Sequence, residues 1–307
     1  MFVEKYLSLW GVKGFILDRY FSTSNSQLFF INTEKGKYVL KSRNYKKENE
    51  IKSLLYVNDY IKLSSLILPF ERNLNGDDFL IDNQYKRLIT ITSKADVSLN
   101  SRYILALNNY EVVIGEALAE LHKLMRSIPI NNYKSKLVWP NEFIDFNYLN
   151  FSNFVSKDLM GIYYSALENR SLIDNLTRQW IHGDFRVNNL VLNYNDGFRR
   201  LKIIDFDNVS IFPRVYEVVR AFMCTIINDK FPRDIFFLFS KYLDAYENVF
   251  PLSLIERELL IKVYIWVGLN NVLRRVYING CLKPYDKLVL KRCNYIAVVN
   301  KFYSKDV

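Results

Sequence analysis

Histidine and cysteine are nearly absent from this chain. Of 307 residues, two are histidine (His122 and His182) and three are cysteine (Cys224, Cys281 and Cys293). An odd cysteine count with no C-x-x-C pair excludes a disulfide framework, and so few histidines argue against a zinc site. Free thiols in a reducing compartment, and hence a cytoplasmic protein, are the expectation. Long apolar runs are missing too. Leu63–Phe70 and Val249–Ile255 stay far below the ~20 residues that cross a bilayer, so no membrane insertion is expected. Met1–Trp10 carries Glu4 and Lys5 and has no apolar core before a small-residue cleavage site, so no secretory signal is expected. Repeats and low-complexity linkers are absent as well.

Acidic residues are outnumbered, 32 against 42 Lys and Arg, for a net charge of +10. The basic residues scatter over Lys41–Lys47, Arg199–Lys202, Arg274–Arg275 and Lys283–Arg292 rather than lining one groove. The chain is also rich in Lys, Asn, Ile and Tyr throughout, as an AT-rich genome produces. The charge is read as a solvated surface, with an anionic substrate or partner as the alternative; no nucleic-acid partner is expected.

What is present is a large hydrophobic complement, half of all residues, in a chain long enough for two domains or one bilobal unit. Gln27–Ile31 and Lys37–Lys41 flank the turn Asn32-Thr33-Glu34-Lys35-Gly36 and predict a hairpin. A helix over Tyr45–Tyr60 follows from the spacing of Ile51, Leu54, Leu55 and Val57, and a second hairpin from Phe79–Ile81 and Arg87–Thr92. Tyr103–Met125 then carries Leu107, Val112, Ile114, Leu118, Leu121 and Met125 on one helical stripe, closed by Pro129. Further helices are predicted over Asn141–Tyr164, Val215–Asn228, Asp234–Tyr246 and Ile255–Tyr277. The expected class is α+β and bilobal. Residues 1–93 make a small antiparallel β-sheet lobe with one helix, and 94–307 a larger, mainly helical lobe.

The most informative stretch runs from Trp180 to Phe222. It contains His182-Gly183-Asp184-Phe185-Arg186-Val187-Asn188-Asn189, the apolar strand Leu190–Leu192, a turn at Tyr194-Asn195-Asp196-Gly197, and Leu201–Ile204 leading into Asp205-Phe206-Asp207. Phosphoryl transfer requires a carboxylate to receive the acceptor hydroxyl's proton and oxygen ligands to hold Mg²⁺ against the moving phosphate. Asp184 and Asn189 have the five-residue spacing of the protein-kinase catalytic loop. A hairpin between the two apolar strands brings Asp205 beside Asn189.

His182-Gly183-Asp184 with Asn189, followed by Ile204-Asp205-Phe206-Asp207, resembles the aminoglycoside phosphotransferase and choline kinase superfamily. That group includes homoserine-kinase-type and spore-coat-associated members with a protein-kinase-like fold. The resemblance implies Asp184 as catalytic base, Asn189 and Asp205 as Mg²⁺ ligands, and ATP (or another NTP) as donor. It makes residues 1–93 the nucleotide-binding lobe and the rest the acceptor-binding lobe. Lys37–Lys41 resembles the strand whose lysine holds the α- and β-phosphates; period-2 geometry puts Val39 on the same face as Lys41, where it would line the adenine slot. A lysine facing inward needs a counter-charge, which Glu50 offers in preference to Glu48. Ser24, Asn25 and Ser26 occupy the position of the phosphate-covering loop, although it has no glycine. Thr90, Thr92 and Leu192 complete the nucleotide set, and lobe closure about a hinge near Thr90–Ala95 is expected. His122 ends a helix as in the family and is read as a core histidine. Glu217 stands where the family usually has the shorter Asp that pins the catalytic loop, which puts the bracing of that loop in question.

Only Phe206–Phe212 separates Asp205 from Pro213, leaving no room for a protein kinase's activation segment. A small-molecule acceptor is therefore expected, with a non-catalytic kinase-like scaffold as the alternative. Arg274, Arg275, Lys283, Lys287, Lys291 and Arg292 disfavour a polycationic aminoglycoside and favour a neutral or acidic hydroxylated metabolite, sugar, nucleoside or peptide-like antibiotic. Tyr264, Trp266 and Tyr277 could cage a cationic ligand, but aromatic residues at helical spacing usually belong to a core.

Overall fold

The computed structural model describes residues 2–23, 25–45, 49–95, 97–98, 109–130, 137, 155–195, 198–227 and 234–303. The chain divides into two compact units: Met1–Ser98 with Asn188–Asp207, and Leu99–Val187 with Asn208–Val307. The expected division at residue 93 thus shifts to Ser98, and the hairpin after Asn188 joins the N-terminal unit. Strand pairing explains this.

The first unit is built on an antiparallel sheet of β1 (Ile16–Ser22), β2 (Ser26–Thr33), β3 (Gly36–Asn44), β4 (Leu80–Asp82) and β5 (Arg87–Ser93), in the order β1-β2-β3-β5-β4. Period-2 alternation sorts its faces. Phe29, Leu40 and Ile91 lie opposite one another across three strands, and on this face they join Val3, Tyr6, Leu7 and Trp10 of the N-terminal helix Phe2–Leu7 and the turn after it. Burying each such side chain contributes roughly 1.5–3 kcal/mol. The polar tips are satisfied: Tyr6 donates to Asp82 at 2.6 Å and Trp10 to the Glu71 carbonyl at 2.8 Å. The other face carries Val39, Lys41 and Arg43, with Leu28 and Thr90 opposite Lys41 and Phe30 and Thr92 opposite Val39. The helix Asn49–Ile61 buries Ile51, Leu54, Val57 and Ile61, close to the expected stripe.

A second sheet in this unit comprises β6 (Val97–Ser98), β8 (Leu190–Asn195) and β9 (Phe198–Ile203). Leu192 pairs with Val97, and Ile203 donates its amide to Leu66 at 2.8 Å. These bonds attach the hairpin to the N-terminal unit. Thr90 and Thr92 belong to the β5 ladder, so that part of the expected hinge is bound strand rather than free linker.

In the second unit, β7 (Arg178–Ile181) pairs with β10 (Ser210–Pro213) beside helices Tyr110–Arg126, Lys157–Glu168, Arg170–Asp174, Arg214–Ala221, Ile235–Val249, Leu254–Asn279 and Pro284–Tyr303. Ile114, Leu118, Leu121 and Met125 are fully buried as the helical stripe predicts, while Leu107 lies outside the described residues. Leu254–Asn279 is buried along most of its length. It starts from a capping box between Ser253 and Glu256, and Glu256 also takes a bidentate pair from Arg214 at 2.7 and 2.8 Å. Among the described residues no helix is long and apolar enough to cross a membrane.

Candidate active site

In the N-terminal unit, residues far apart in the chain meet at Lys41. Its ammonium donates to Asp205 Oδ1 and to Asp207 Oδ2, both at 2.7 Å, and Arg43 lies 3.2 Å from Asp207 Oδ1. Lys41 and Arg43 share a face because they are two residues apart on β3. Burial alone would depress the Lys41 pKa, but the charges of Asp207 and Asp205 outweigh it and leave the ammonium held above its ordinary value. Asp207 was not among the expected site residues, although it lies two positions beyond Asp205 in the same motif. Glu50 lies in the Asn49–Ile61 helix, but its side chain is outside the described residues.

Asp205 follows the end of β9 in a left-handed backbone conformation, φ 67°, which costs a non-glycine residue on the order of 1–3 kcal/mol. Leu190 pairs with Ile203, and Ile204 donates to the Asn189 carbonyl at 3.0 Å. Asn189 and Asp205 therefore leave the same end of the hairpin. Val39, Thr90 and Thr92 share Lys41's sheet face, and Leu192 is buried in β8. Between β1 and β2, Thr23 accepts the Ser26 amide at 3.0 Å and its own amide donates to the Ser26 carbonyl at 2.8 Å. Asn25 accepts the Asn44 amide at 2.8 Å, and Ser24 is outside the described residues. This turn is organised by hydroxyl and backbone bonds in place of glycine.

The second unit holds the loop containing Asp184. Gly183 has φ 76°, and a Cβ there would overlap the Asn208 carbonyl oxygen, so the position requires glycine on both counts. Glu217, from the Arg214–Ala221 helix, braces this loop. Its carboxylate accepts the amides of His182 at 2.9 Å and Gly183 at 2.6 Å, and it bonds His122 Nε2 at 3.1 Å. The longer side chain reaches the loop after all. His122 is fully buried, as expected of a core histidine, and its Nδ1 lies 2.8 Å from the Tyr246 hydroxyl. An ionised carboxylate can only accept, so Nε2 carries the proton and Nδ1 accepts from Tyr246. Burial holds the His122 pKa below its ordinary value against the raising effect of Glu217. Burial pushes Glu217 upward, but the His122 bond and nearby positive charge prevail and hold it low.

Asp184 is itself gripped by arginine. Arg220 Nη2 donates to Oδ1 at 2.7 Å, and Arg186 Nε lies 3.1 Å from Oδ2. Burial would lower the Arg220 pKa, yet Cys224, Tyr216 and Asp184 raise it well above the ordinary value. Arg220 was not anticipated. The available signal was its position three residues after Glu217, on the same helical face. Tyr264 and Trp266 are buried, stacking on Tyr216 and Tyr163, whereas Tyr277 is 76% exposed. The three do not form a cage.

The fold is that of the kinase-like phosphotransferases. The sequence profile described as the phosphotransferase enzyme family matches residues 21–249, about three quarters of the chain, and the protein belongs to that family. It is a phosphotransferase. No curated protein sequence matches it. Solved structures share its fold at low identity. A microcompartment-associated aminopropanol kinase is 14% identical with a TM-score of 0.63, covering 99% of this chain and 98% of that one. An aminoglycoside phosphotransferase from Alicyclobacillus acidocaldarius is 12% identical with a TM-score of 0.64, covering 97% and 96%. A spectinomycin phosphotransferase solved with ADP and spectinomycin is 10% identical with a TM-score of 0.56, covering 99% and 97%.

Proposed function

We propose that this enzyme transfers the γ-phosphoryl group of ATP, or another nucleoside triphosphate, to a hydroxyl of a small molecule. The observation that carries this reading is the meeting of Lys41 with Asp205, 164 residues further along the chain, at 2.7 Å. A cation on a β-strand beside a carboxylate at the end of the catalytic hairpin is the pairing that nucleotide phosphates and their metal ion engage in kinase-like enzymes. The bound ADP of the spectinomycin phosphotransferase supports a nucleotide donor.

In the transfer, the acceptor oxygen bonds to the γ-phosphorus as the bond to the β-bridging oxygen breaks. The hydroxyl proton passes to Asp184, and the nucleoside diphosphate leaves. Asp184 orients the hydroxyl, and the Glu217 brace fixes the backbone that carries it. Lys41 neutralises the α/β-phosphates, while Val39, Thr90, Thr92, Leu192, Asn25 and Ser26 offer the surface and polar groups for the nucleotide, with Ser24 and Glu50 assigned to the same set. Asn189 and Asp205 present the amide and carboxylate oxygens that suit Mg²⁺, which takes one or two carboxylates and completes its shell with water and phosphate. Bound there, the ion would offset charge on the phosphate oxygens.

A peptide acceptor is disfavoured. Between Asp205 and Arg214 the chain forms only the short turn Phe206–Asn208 and β10, leaving no docking segment. The test is Asp184→Asn with ADP release measured over a panel of acceptors. Turnover should vanish while nucleotide binding persists, and chelating divalent metal should also stop transfer. Unchanged turnover in the variant would show that Asp184 is not the base.

A further inference from the structure

We propose that the acceptor carries an anionic group, a carboxylate or phosphate monoester, beside its reacting hydroxyl, and that Arg220 and Arg186 seat it. This rests on the reading of Asp184 as the base.

Two guanidinium groups converge on Asp184. Its single carboxylate serves both, Arg220 at 2.7 Å and Arg186 at 3.1 Å, while the Glu217 carboxylate that also bears on Arg220 already takes three donors of its own. Two other arginines of this unit each have a carboxylate to themselves: Arg214 spans both oxygens of Glu256, and Arg275 donates to Asp286 at 2.6 Å. Arg220 has capacity to spare, because its Nη1 is buried and has no hydrogen-bond partner among the described residues. A guanidinium presents its N–H groups as a fork that fits carboxylate and phosphate oxygens side by side. A third guanidinium lies nearby, since Arg292 Nη1 donates to Cys224 Sγ at 3.2 Å and Cys224 bears electrostatically on Arg220.

The same contacts occupy the oxygens that Asp184 needs for its task. A base whose two oxygens are bound to arginine is a poor acceptor for a hydroxyl proton. An acceptor anion gives the guanidiniums a new partner, so an Asp184 oxygen turns to the neighbouring hydroxyl as the anion docks. A neutral acceptor leaves the arginines on Asp184, and an ammonium group adds a further cation to the cluster. The paired guanidiniums thus select acidic hydroxyl compounds by attraction and reject cationic ones by repulsion.

Matched acceptors decide the question: one hydroxylated skeleton bearing a carboxylate or phosphate, its amide, and its amine. Each is given to the full-length protein with Mg²⁺ and ATP, and ADP release is read above the substrate-free background. Binding is followed separately by thermal shift with Mg²⁺ and ADP. The acid should exceed its amide in kcat/KM by at least about ten-fold, the scale of one hydrogen bond to a charged group, and exceed the amine by more. Arg220→Gln and the half-exposed Arg186→Gln should each erase that advantage through acceptor KM; the second tolerates substitution even if the buried site does not. Better turnover of the amide or amine overturns the inference and leaves the phosphotransferase reading standing. So does a rise in KM for ATP with acid preference intact, which would assign the arginines to the nucleotide. Should nothing be phosphorylated while the acid still binds in an Arg186-dependent way, the anion seat stands and the role of Asp184 as base fails. Absence of both binding and transfer sinks both.

Discussion

Replacing Glu217 with glutamine keeps the shape of the side chain and removes its charge and half of its accepting capacity. The native carboxylate is fully buried and takes three donors: the amides of His182 and Gly183 and the His122 ring. Glutamine accepts only through its carbonyl oxygen. If His122 switches tautomer, its Nε2 can accept from the new amide group, and the carbonyl can serve one backbone N–H. The other backbone N–H then faces an NH₂ group with nothing to receive it. An unsatisfied buried donor costs about 1–3 kcal/mol, and replacing a charged acceptor by a neutral one weakens the surviving bond by about 1 kcal/mol. The expected loss is therefore about 2–4 kcal/mol, a large share of the 5–15 kcal/mol typical of a folded domain. Urea denaturation of the whole protein measures it. Glu217→Asp keeps the charge, shortens the reach by one methylene and should fall between wild type and Glu217→Gln. Turnover should decline in the same order, because the brace holds the backbone of the Asp184 loop. A Glu217→Gln protein within about 0.5 kcal/mol of wild type would refute the bracing argument.

Two further expectations follow from the same loop and its support. Gly183→Ala should destabilise by more than about 2 kcal/mol, combining left-handed backbone strain with overlap on the Asn208 carbonyl. Gly161→Ala, in a helix and with open space around it, should instead be neutral or stabilise by up to about 1 kcal/mol; equal effects in denaturant melts would contradict the geometry. Stability should also decline with acid. His122 is held below its ordinary 6.5, so its contribution is complete above that pH and is lost as pH falls below it, at no more than about 1.4 kcal/mol per pH unit. Glu217, held below 4.5, adds a contribution present above that value and lost as pH falls through its folded pKa. Melting temperatures from pH 8 to 4 should therefore drop below about pH 6.5, more gently in His122→Gln; a wild-type profile flat down to pH 5 would contradict the assignment.

Local chemistry was legible without coordinates. The Asp184-to-Asn189 spacing, the period-2 placement of Val39 with Lys41 and the helical stripes depend on residues within a few positions of one another. Backbone geometry alone decides which of them face the same way. The helix at Phe2–Leu7 is legible in principle too, since Val3, Tyr6, Leu7 and Trp10 have helical spacing. Packing decided the rest. Asp207 joining Asp205 on Lys41, Arg220 on Asp184, and Glu217 reaching two loop amides are contacts between residues 34 to 166 positions apart. No local period encodes such a distance; it is set by how sheets and helices bury their apolar faces. Sequence alone determined which chemical groups this protein carries and their local spacing. Its tertiary structure decided which charges face one another, because burial makes an ionised group without a partner costly and packing sets which partners are within reach.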